Sequence, residues 1–526
     1  MIARKPSQVD LAIIGGGING AGLAALAAKN GLSVVLFEKG DFASGTSSKS
    51  TKLIHGGIRY LEHGHFPLVF EALHERHNLL KKAPHLVYPL PFLLPCYQTD
   101  HRKPWILRTG LWMYDSLAGL QNIHRHQWLT SQQVIQQFPQ INAEQLQGCG
   151  LYYDAQTNDA RLVLENIFAA EQAGAICMNY CQVLNVETHK TFIEVFYQSQ
   201  PSQTQSLTAS CLVNASGPWS NDLYQMIFKK KQTLVRPTRG SHLIIPKLLD
   251  HFAVLITNQQ DHRIIFVIPW RNYSLIGTTD LDDSRSPDQV CPSQEEVNYL
   301  LHEAGRIFPS LRRTTPPILA AFSGLRPLAS SDLYKSTSSI SREDRIIQNE
   351  NILSIVGGKL TTYQSMARKL LFKIFDILNL KHRPWLDTHL PGTPLMPWSE
   401  FLKEIPPQWS ARYALAQDQI RFLINLYGQQ AEKILNLTVE NPRTAQPIHP
   451  DRPEIFAQIL YAVQFEKAKH LDDVLLRRLE LGYTPYQWGP MCTSIASYMA
   501  ELLSWTPQQL QEELKTYRLK LFPFPS

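Results

Sequence analysis

A glycine-rich turn between two apolar runs, close to the start of the chain, constrains the fold most strongly. The first run leads into Gly15-x-Gly17-x-x-Gly20, and the second run ends at Glu38. In a βαβ unit the first glycine allows a tight turn, the second admits a pyrophosphate, and the third lets the helix pack closely on the sheet. The N-terminus of that helix offers N–H groups and a positive dipole end to the phosphates. Because an acidic residue roughly 20 positions later accepts a hydrogen bond from a ribose hydroxyl, these four residues predict a bound adenine dinucleotide.

A secretory signal is the competing interpretation of the N-terminal stretch. Arg4 and Lys5 precede an apolar segment, as in a signal peptide, but Asp10 interrupts the transition and a glycine cluster is a poor helical core for such a signal. No other window offers about 20 uninterrupted apolar residues, the length that a spanning helix needs. The sequence therefore predicts a soluble or peripherally attached protein.

Length and charge bound the class of protein. A chain of 526 residues is too long for one compact core, so about two or three domains are expected. The net charge of +6 suits an anionic substrate or an anionic membrane surface, and it is too small an excess to predict nucleic-acid binding. The seven cysteines are scattered, and the pair Cys177 and Cys181 has no second pair or histidine cluster beside it. We therefore expect reduced, mostly buried thiols and no metal site.

Hydrophobic periodicity outlines the elements between the glycine turn and the C-terminal region. Residues 85–150, rich in proline, aromatic residues and histidine, lose any strand–helix rhythm and are interpreted as an insertion, while residues past 392 have helical periodicity and few strand signals. Residues 211–217 end an apolar strand in small residues, where backbone passes close to a cofactor. The other predicted elements are helices over 159–172 and after 362, a strand over 191–197, strands over 241–246, 253–257, 263–270 and 273–279, the last two forming a hairpin, and a buried strand over 351–356.

Seven motifs occur in the order found in one enzyme family. They are Gly15-Gly-Gly-Ile-Asn-Gly20, Thr46-Ser-Ser48, Lys52-Leu-Ile-His-Gly-Gly-Ile-Arg-Tyr60, Asn214-Ala-Ser-Gly-Pro-Trp219, Ile276-Gly-Thr-Thr-Asp280, Ser323-Gly-Leu-Arg-Pro327 and Gly357-Gly-Lys-Leu-Thr-Thr-Tyr363. Together with Asp472-Asp-Val-Leu-Leu-Arg-Arg478, they make the chain resemble the FAD-dependent, aerobic glycerol-3-phosphate dehydrogenases over essentially its whole length. Such an ordered set is far more specific than the glycine turn alone.

The resemblance implies a mixed α/β and α+β fold, in which a Rossmann-like FAD-binding domain is interleaved with a β-sheet substrate domain and followed by a helical C-terminal cap domain. The expected FAD-binding segments are 1–84, 151–225 and 320–392, the substrate-binding segments are 85–150 and 226–319, and the cap is 393–526. The implied reaction is the oxidation of sn-glycerol 3-phosphate to dihydroxyacetone phosphate by hydride transfer to FAD. Whether this helical region serves as a cap, as the face of a homodimer or as a partner site stays open.

The resemblance also implies that a quinone takes the electrons and that the protein is cytoplasmic, peripheral on the inner membrane of a bacterium. Residues 104–114 are aromatic and basic, which fits a bilayer surface, but they fit the protein interior equally well. Anaerobic relatives carry a cysteine-rich C-terminal region, whereas Cys492 is the single cysteine past residue 390 in this chain, which argues against an iron–sulfur site.

His55 is the candidate catalytic base. Oxidation of a secondary alcohol moves a hydride to the flavin and requires a group that takes the hydroxyl proton, and an imidazole titrates near neutral pH. Residue 55 lies in the Ile-His-Gly-Gly segment that resembles the family's active-site stretch.

A phosphate dianion needs cationic donors, and the fork of an arginine suits it. Arg326, in its apolar setting, is the strongest candidate and is also expected to polarise the substrate hydroxyl. The residues that resemble the family's substrate-binding set are Arg59, Tyr60, Arg326, Arg342 and Lys359.

The remaining candidate residues are expected to hold the cofactor. The turn that precedes the last predicted helix places a helix N-terminus where reduced flavin carries negative charge, with Thr361 or Thr362 as the N-cap. The expected set is Gly357, Gly358, Lys359, Leu360 and Thr361 in this turn, the hydroxyls of Thr46, Ser47 and Ser48, and Ala215 and Gly217 on the adenosine side.

Three other functions compete. A glycerol-3-phosphate oxidase would pass electrons to oxygen, an amine or amino-acid oxidase would use the same cofactor fold on another substrate, and a flavin-binding scaffold would have no turnover. The presence of both His55 and Arg326 disfavours the scaffold.

Overall fold

Two β-sheets and a helical C-terminal region make up the described part of the chain. The structure is a computed structural model that describes residues 8–199, 203–329, 344–382 and 384–521. Its strands are β1 Gln8–Ile14, β2 Val34–Phe37, β3 Leu53–Ile54, β4 Val87–Tyr97, β5 Gln127–Leu129, β6 Leu146–Thr157, β7 Ile176–Met178, β8 Gln182–Thr188, β9 Ile193–Gln198, β10 Thr204–Asn214, β11 Val235–Pro246, β12 Ala253–Thr257, β13 Ile264–Trp270, β14 Tyr273–Gly277, β15 Leu281–Asp282, β16 Ala320–Ala329, β17 Arg345–Asn349 and β18 Ile352–Val356.

The helices lie between these strands and beyond them. They are α1 Ile18–Lys29, α2 Phe66–Lys82, α3 Pro104–Ala118, α4 Ser131–Gln137, α5 Asp159–Gln172, α6 Ser220–Phe228, α7 Gln294–Ile307, α8 Ser310–Arg313, α9 Tyr363–Ile377, α10 Trp398–Tyr413, α11 Gln417–Tyr427, α12 Ala431–Glu440, α13 Phe456–Gln464, α14 Pro490–Leu503 and α15 Pro507–Lys520. Among the described residues, no helix has both the length and the apolar character to span a membrane.

The first sheet is built around the glycine turn. Its main order is β17-β18-β10-β1-β2-β7, in which β18, β10, β1, β2 and β7 run parallel, and β8 and β9 extend it in antiparallel pairing from β10. In the parallel part, β2 and β18 are buried along their whole length because helices cover the sheet, as in other parallel sheets. Buried residues of α1, α5 and α9, including Leu23, Leu162 and Leu370, belong to the same core as Leu11 and Ile13 of β1.

The second sheet lies beside the first and supplies the other wall of the site. Its main order is β15-β11-β14-β13-β12-β4-β6-β3, with β16 paired to β11 and β5 to β6. The predicted hairpin is confirmed, since β13 and β14 pair antiparallel with Trp270 opposite Tyr273. β3 and β16, from segments assigned above to the FAD-binding domain, are strands of this sheet. The three-domain division of the chain stays a prediction.

The stretch interpreted as an irregular insertion has more regular structure than the sequence indicated. β4 runs through Pro89, Pro91 and Pro95 and pairs along its length with β6. Prolines are tolerated there because β12, the neighbour on the other side, pairs only at Phe92 and Leu93, so few ladder hydrogen bonds are lost. Proline content therefore concealed a long strand.

The C-terminal region is helical, as predicted. Helices α10 to α15 enclose a core of their own that includes Ile424, Leu435, Ile459, Leu475 and Ile495. The helix predicted over residues 159–172 is confirmed, as is the helix after residue 362. Six of the seven cysteines are buried, Cys291 is exposed, and none forms a disulfide.

Candidate active site

The glycine turn brings three backbone segments into very close contact. The N–H of Gly15 donates to the Phe37 carbonyl at 2.8 Å, and Gly15 has a φ of +117°. A Cβ on Gly15 would lie 2.4 Å from the Ala215 carbonyl oxygen, and a Cβ on Gly20 would lie 2.0 Å from the Gly15 oxygen. Because no side chain fits at either position, the two glycines set the path of the backbone around the N-terminus of α1.

Glu38 is held at the end of β2 by the same turn. Its carboxylate accepts the N–H groups of Gly16 at 2.7 Å and Gly40 at 2.8 Å. Burial raises the pKa of this carboxyl, and the two N–H donors oppose that rise. A carboxylate has about four acceptor positions, so a ribose hydroxyl still finds an acceptor there.

A cavity of about 720 Å³ runs along these elements. Gly217, with a φ of +57°, has open space where a Cβ would project, so backbone is open to a ligand on that side. The predicted cofactor residues that line the cavity are Gly15, Gly17, Glu38, Thr46, Ser47, Ala215, Gly217, Gly357, Gly358, Lys359 and Leu360. A helix N-terminus, a ribose acceptor and bare backbone along one cavity fit an adenine dinucleotide such as FAD.

Two of the three hydroxyl residues at positions 46 to 48 have protein partners as well. The N–H of Ile18 donates to the Ser47 hydroxyl at 3.0 Å, and the Thr46 hydroxyl donates to the Leu325 carbonyl at 2.6 Å. Ser48 is buried. Ser47 thus already satisfies one N–H at the start of α1, and the predicted contacts of these residues with a cofactor stay predictions.

A second cavity, of about 230 Å³, adjoins the first. The two share a wall that includes Thr46 and residues 357–360. The smaller cavity brings together predicted residues from three distant stretches, namely His55, Arg59, Tyr60, Arg326, Gly357, Gly358, Lys359, Leu360 and Thr361. Arg342 lies outside the described residues.

His55 follows β3 and is tied to the turn before α9. The backbone N–H of His55 donates to the Thr361 hydroxyl at 3.1 Å, and that hydroxyl lies 3.3 Å from the backbone carbonyl oxygen of His55. Next to it, a Cβ on Gly56 would lie 2.5 Å from the Tyr114 hydroxyl and 2.6 Å from Leu73. The backbone around His55 is therefore fixed on both sides, and the residue lines the smaller cavity.

Thr361 or Thr362 was predicted to cap the start of α9, and the structure has a threonine there without the capping hydrogen bond. Thr362 occupies the N-cap position, but its side chain makes no capping hydrogen bond. The Thr361 hydroxyl is engaged with the backbone of His55. Positive φ angles at Gly357 and Gly358, of 78° and 96°, turn the chain into the helix.

Arg326 reaches the cavity from β16 in a fixed orientation. Its guanidinium donates to Asp280 at 2.9 Å, to the Thr278 hydroxyl at 2.9 Å and to the Thr279 carbonyl at 3.2 Å. A Cβ on Gly240 would lie 2.5 Å from the same group, so this glycine makes room for it. Two other cations of the predicted set gather at one ring. Lys359 Nζ lies 4.0 Å and Arg59 Cζ 5.6 Å from the ring centroid of Tyr60.

His242 was missed by the sequence reasoning. It lies on β11 and lines the smaller cavity, with Nε2 2.9 Å from the Thr51 hydroxyl and its ring stacked 5.0 Å from that of Phe322. Burial, together with the charges of Arg326 and Lys52, lowers its pKa to about 3. No motif surrounds this residue, and only the pairing of β11 with β14 and β16 brings it to the site.

Two family models match this chain. Residues 10–359 match the FAD dependent oxidoreductases, and residues 387–510 match the C-terminal domain of alpha-glycerophosphate oxidase.

Several named proteins are similar along nearly the whole chain. A glycerol-3-phosphate dehydrogenase of Synechocystis is 34% identical over 97% of this chain and 95% of its own length. The mitochondrial glycerol-3-phosphate dehydrogenase of Mus musculus is 32% identical over 98% of this chain and 73% of its own length. The solved glycerol-3-phosphate dehydrogenase of Bacillus halodurans, in complex with FAD, superimposes with a TM-score of 0.79 at 28% identity, covering 98% of this chain and 94% of its own.

Proposed function

Because the chain belongs to the FAD-dependent glycerol-3-phosphate dehydrogenase family, we propose that it oxidises sn-glycerol 3-phosphate to dihydroxyacetone phosphate with FAD as cofactor. One observation carries the proposal. The smaller cavity combines an imidazole with several cations and adjoins the glycine-lined cavity that fits FAD.

The residues of the smaller cavity have separate roles in this proposal. When bound, FAD supplies the acceptor for the hydride. His55 accepts the proton of the substrate hydroxyl. Arg59 and Lys359 hold the phosphate dianion, and Arg326, oriented by Asp280, binds the substrate and polarises its hydroxyl. Each charge-assisted hydrogen bond contributes about 1.5 to 3 kcal/mol, so two or three hold a ligand that has little apolar surface.

The test is an anaerobic visible spectrum of the purified protein before and after addition of sn-glycerol 3-phosphate, with glycerol and an amino acid as controls. We expect the phosphate ester alone to bleach the flavin band. Bleaching by the amino acid alone would favour an amino-acid oxidase, and a flavin that nothing bleaches would favour a scaffold without turnover.

We further propose that a membrane quinone takes the electrons and that the protein is peripheral on the cytoplasmic face of the inner membrane. The exposed face of α3 supports this proposal. Trp105 is 68% exposed and Trp112 63% exposed. The cation Arg108 is exposed on the same helix, and Lys103 is exposed at its N-cap. Tryptophan and basic residues on one surface helix favour the interface of an anionic bilayer.

A third cavity is lined in part by this helix and adjoins the candidate active site. It measures about 420 Å³, is lined by Ile106 and Leu107 of α3, and shares Arg59 and Leu255 with the cavity that contains His55. In this proposal the acceptor approaches through this cavity, whose lining also includes charged residues such as Glu62, Asp100 and Arg102.

The membrane proposal is tested with the double variant W105S/W112S. We expect weaker sedimentation with phosphatidylglycerol vesicles and slower quinone reduction, with unchanged bleaching by substrate. The control is Trp488→Ser, which changes an exposed tryptophan of the C-terminal region and should bind vesicles normally. Equal binding of the double variant would remove α3 from this role.

An oxidase that uses oxygen is a second candidate, because residues 387–510 match a domain named after alpha-glycerophosphate oxidase. Stoichiometric peroxide release from substrate in air, without quinone, would favour it. Quinone reduction with little oxygen uptake would favour the dehydrogenase.

A further inference from the structure

A short loop forms part of the wall between the cofactor cavity and the substrate cavity. This loop, residues 41–52, follows Glu38 and ends just before the strand that leads to His55. Thr46, Lys49 and Ser50 line both cavities. The loop therefore contributes side chains to the walls of both cavities.

The N-terminal end of the loop is held by the C-terminal region. The buried carboxylate of Asp41 accepts Arg477 Nε at 2.6 Å and the two terminal nitrogens of Arg478 at 2.6 and 2.9 Å. Burial alone would raise the pKa of Asp41, but the two guanidinium groups hold it below its usual range. The Asp41 carboxylate is thus charged and held between the guanidinium groups of Arg477 and Arg478.

The C-terminal end of the loop is held by the same stretch. Lys52 Nζ donates to Asp159 at 2.7 Å and to Glu480 at 2.8 Å, and all three side chains are buried. The second oxygen of Glu480 accepts Asn158 Nδ2 at 2.9 Å. Lys52 directly precedes β3, so its position also sets the start of the His55 segment.

Three residues within the four consecutive positions 477–480 therefore hold both ends of one loop. The arginines are themselves oriented, since Arg477 donates to Asp472 at 2.9 Å and Arg478 to the Glu466 carbonyl at 2.7 Å. Buried ion pairs are weak evidence for stability, because desolvation offsets most of the attraction. Several of them at the two ends of a cofactor loop instead favour a role in fixing one conformation of that loop.

We propose that Arg477, Arg478 and Glu480 are positioning residues through which the C-terminal region sets the affinity of the protein for FAD. They act by holding Asp41 and Lys52, and with them the loop that lines the cofactor cavity. None of the three needs to touch the cofactor.

The test compares Asp41→Asn and Glu480→Gln with the control Glu171→Gln. Glu171 of α5 pairs with Lys467, so it also joins the C-terminal region to the rest of the chain, but it does not contact the loop. FAD dissociation is measured from the recovery of free-flavin fluorescence on dilution, with circular dichroism of each apoprotein as a check of folding. We expect the Kd for FAD to rise at least tenfold in each loop-end variant and less than twofold in E171Q.

A second readout separates positioning from damage to the fold. At saturating FAD we expect the kcat of D41N to return to within twofold of the parent, whereas a misfolded protein would not recover. If D41N does not fold, E480Q decides alone, because Lys52 keeps Asp159 as a partner. An unchanged Kd in folded E480Q, or an equal rise in E171Q, would overturn the proposal.

Discussion

His55 is the residue on which the proposed chemistry depends most. It lines the smaller cavity, while the larger, cofactor-sized cavity is formed by other residues. We expect His55→Ala to lower the rate of flavin reduction by roughly 100- to 10,000-fold, the usual contribution of a general base, with FAD still bound. Anaerobic stopped-flow absorbance gives the rate, and the ratio of flavin to protein absorbance gives the occupancy. The control is His74→Ala, which changes a histidine of α2 outside both cavities. An unchanged rate in H55A would show that His55 is not the catalytic base.

His242 gives the protein a pH dependence of its own. Its pKa is about 3 in the folded chain and about 6.5 when unfolded, so between these values the unfolded chain binds a proton that the folded chain does not. The stability that depends on neutral His242 is thus complete above pH 6.5 and is lost as the pH falls towards 3, by up to about 1.4 kcal/mol per pH unit.

We therefore expect the free energy of unfolding of the parent to fall more steeply with acid than that of His242→Gln. Urea titrations at pH 7, 5.5 and 4.5 measure both proteins. A difference between parent and variant that stays constant over this range would contradict the assignment.

At the residue scale, the site residues that could be predicted are those that lie within contiguous sequence motifs. Gly15, Gly20 and Glu38 were predictable because each occupies a fixed offset within one βαβ unit. His242 was not, because it is a single histidine on an apolar strand and reaches the cavity only through the pairing of β11 with its neighbours. The motifs predicted Arg59 and Lys359 as substrate-binding residues, which stays a prediction, but they gave no sign that both residues would contact Tyr60.

At the scale of elements, the start of α1 depends on one residue without a side chain. A Cβ on Gly20 would lie 2.0 Å from the backbone oxygen of Gly15, and backbone cannot move aside as a flexible side chain can. We expect Gly20→Ala to lower the free energy of unfolding by about 1 to 3 kcal/mol, as overpacking does, and to weaken FAD binding. Urea denaturation and flavin titration measure the two effects.

Gly110 of α3 is the matched control. It also lies within a helix, but nothing lies within 4 Å of the place that its Cβ would take. Since alanine is the better helix former by about 0.5 to 1 kcal/mol, Gly110→Ala should be neutral or stabilising. Equal destabilisation by both variants would show that the close approach at Gly20 is not the cause.

The elements themselves were predictable where the periodicity was strong. The strand expected over 253–257 and the helix expected over 159–172 have those bounds in the structure, because each is a run of one period between turn residues. β4 was hidden by its three prolines, which normally disfavour a strand and are tolerated here by the short pairing with β12. Local patterns cannot report which neighbour a strand will have.

At the scale of the whole molecule, the least predictable feature is how the C-terminal region joins the rest. Arg161 of α5 pairs with Glu466, and its guanidinium lies 4.1 Å from the ring centroid of Tyr427. Hundreds of positions separate these residues along the chain, and no local pattern marks them as partners. The helical character of the region was visible in its sequence, whereas its buried ion pairs to the cofactor-binding part were not.

These buried pairs predict that the molecule unfolds as one unit, although chains of this length often unfold domain by domain. Opening either part would break all of these buried pairs together, so we expect the two parts to open in one step. Removing one partner by mutation instead leaves the other charge buried and uncompensated, at a cost of about 3 to 5 kcal/mol. We expect a single transition in differential scanning calorimetry, and Glu466→Gln should lower its temperature without splitting it. The control is Glu432→Gln, which breaks an exposed pair with Arg412 and should change little. Two resolved transitions in the parent would show that the C-terminal region unfolds independently. Residues 41–52 would then have to be held in place by other contacts.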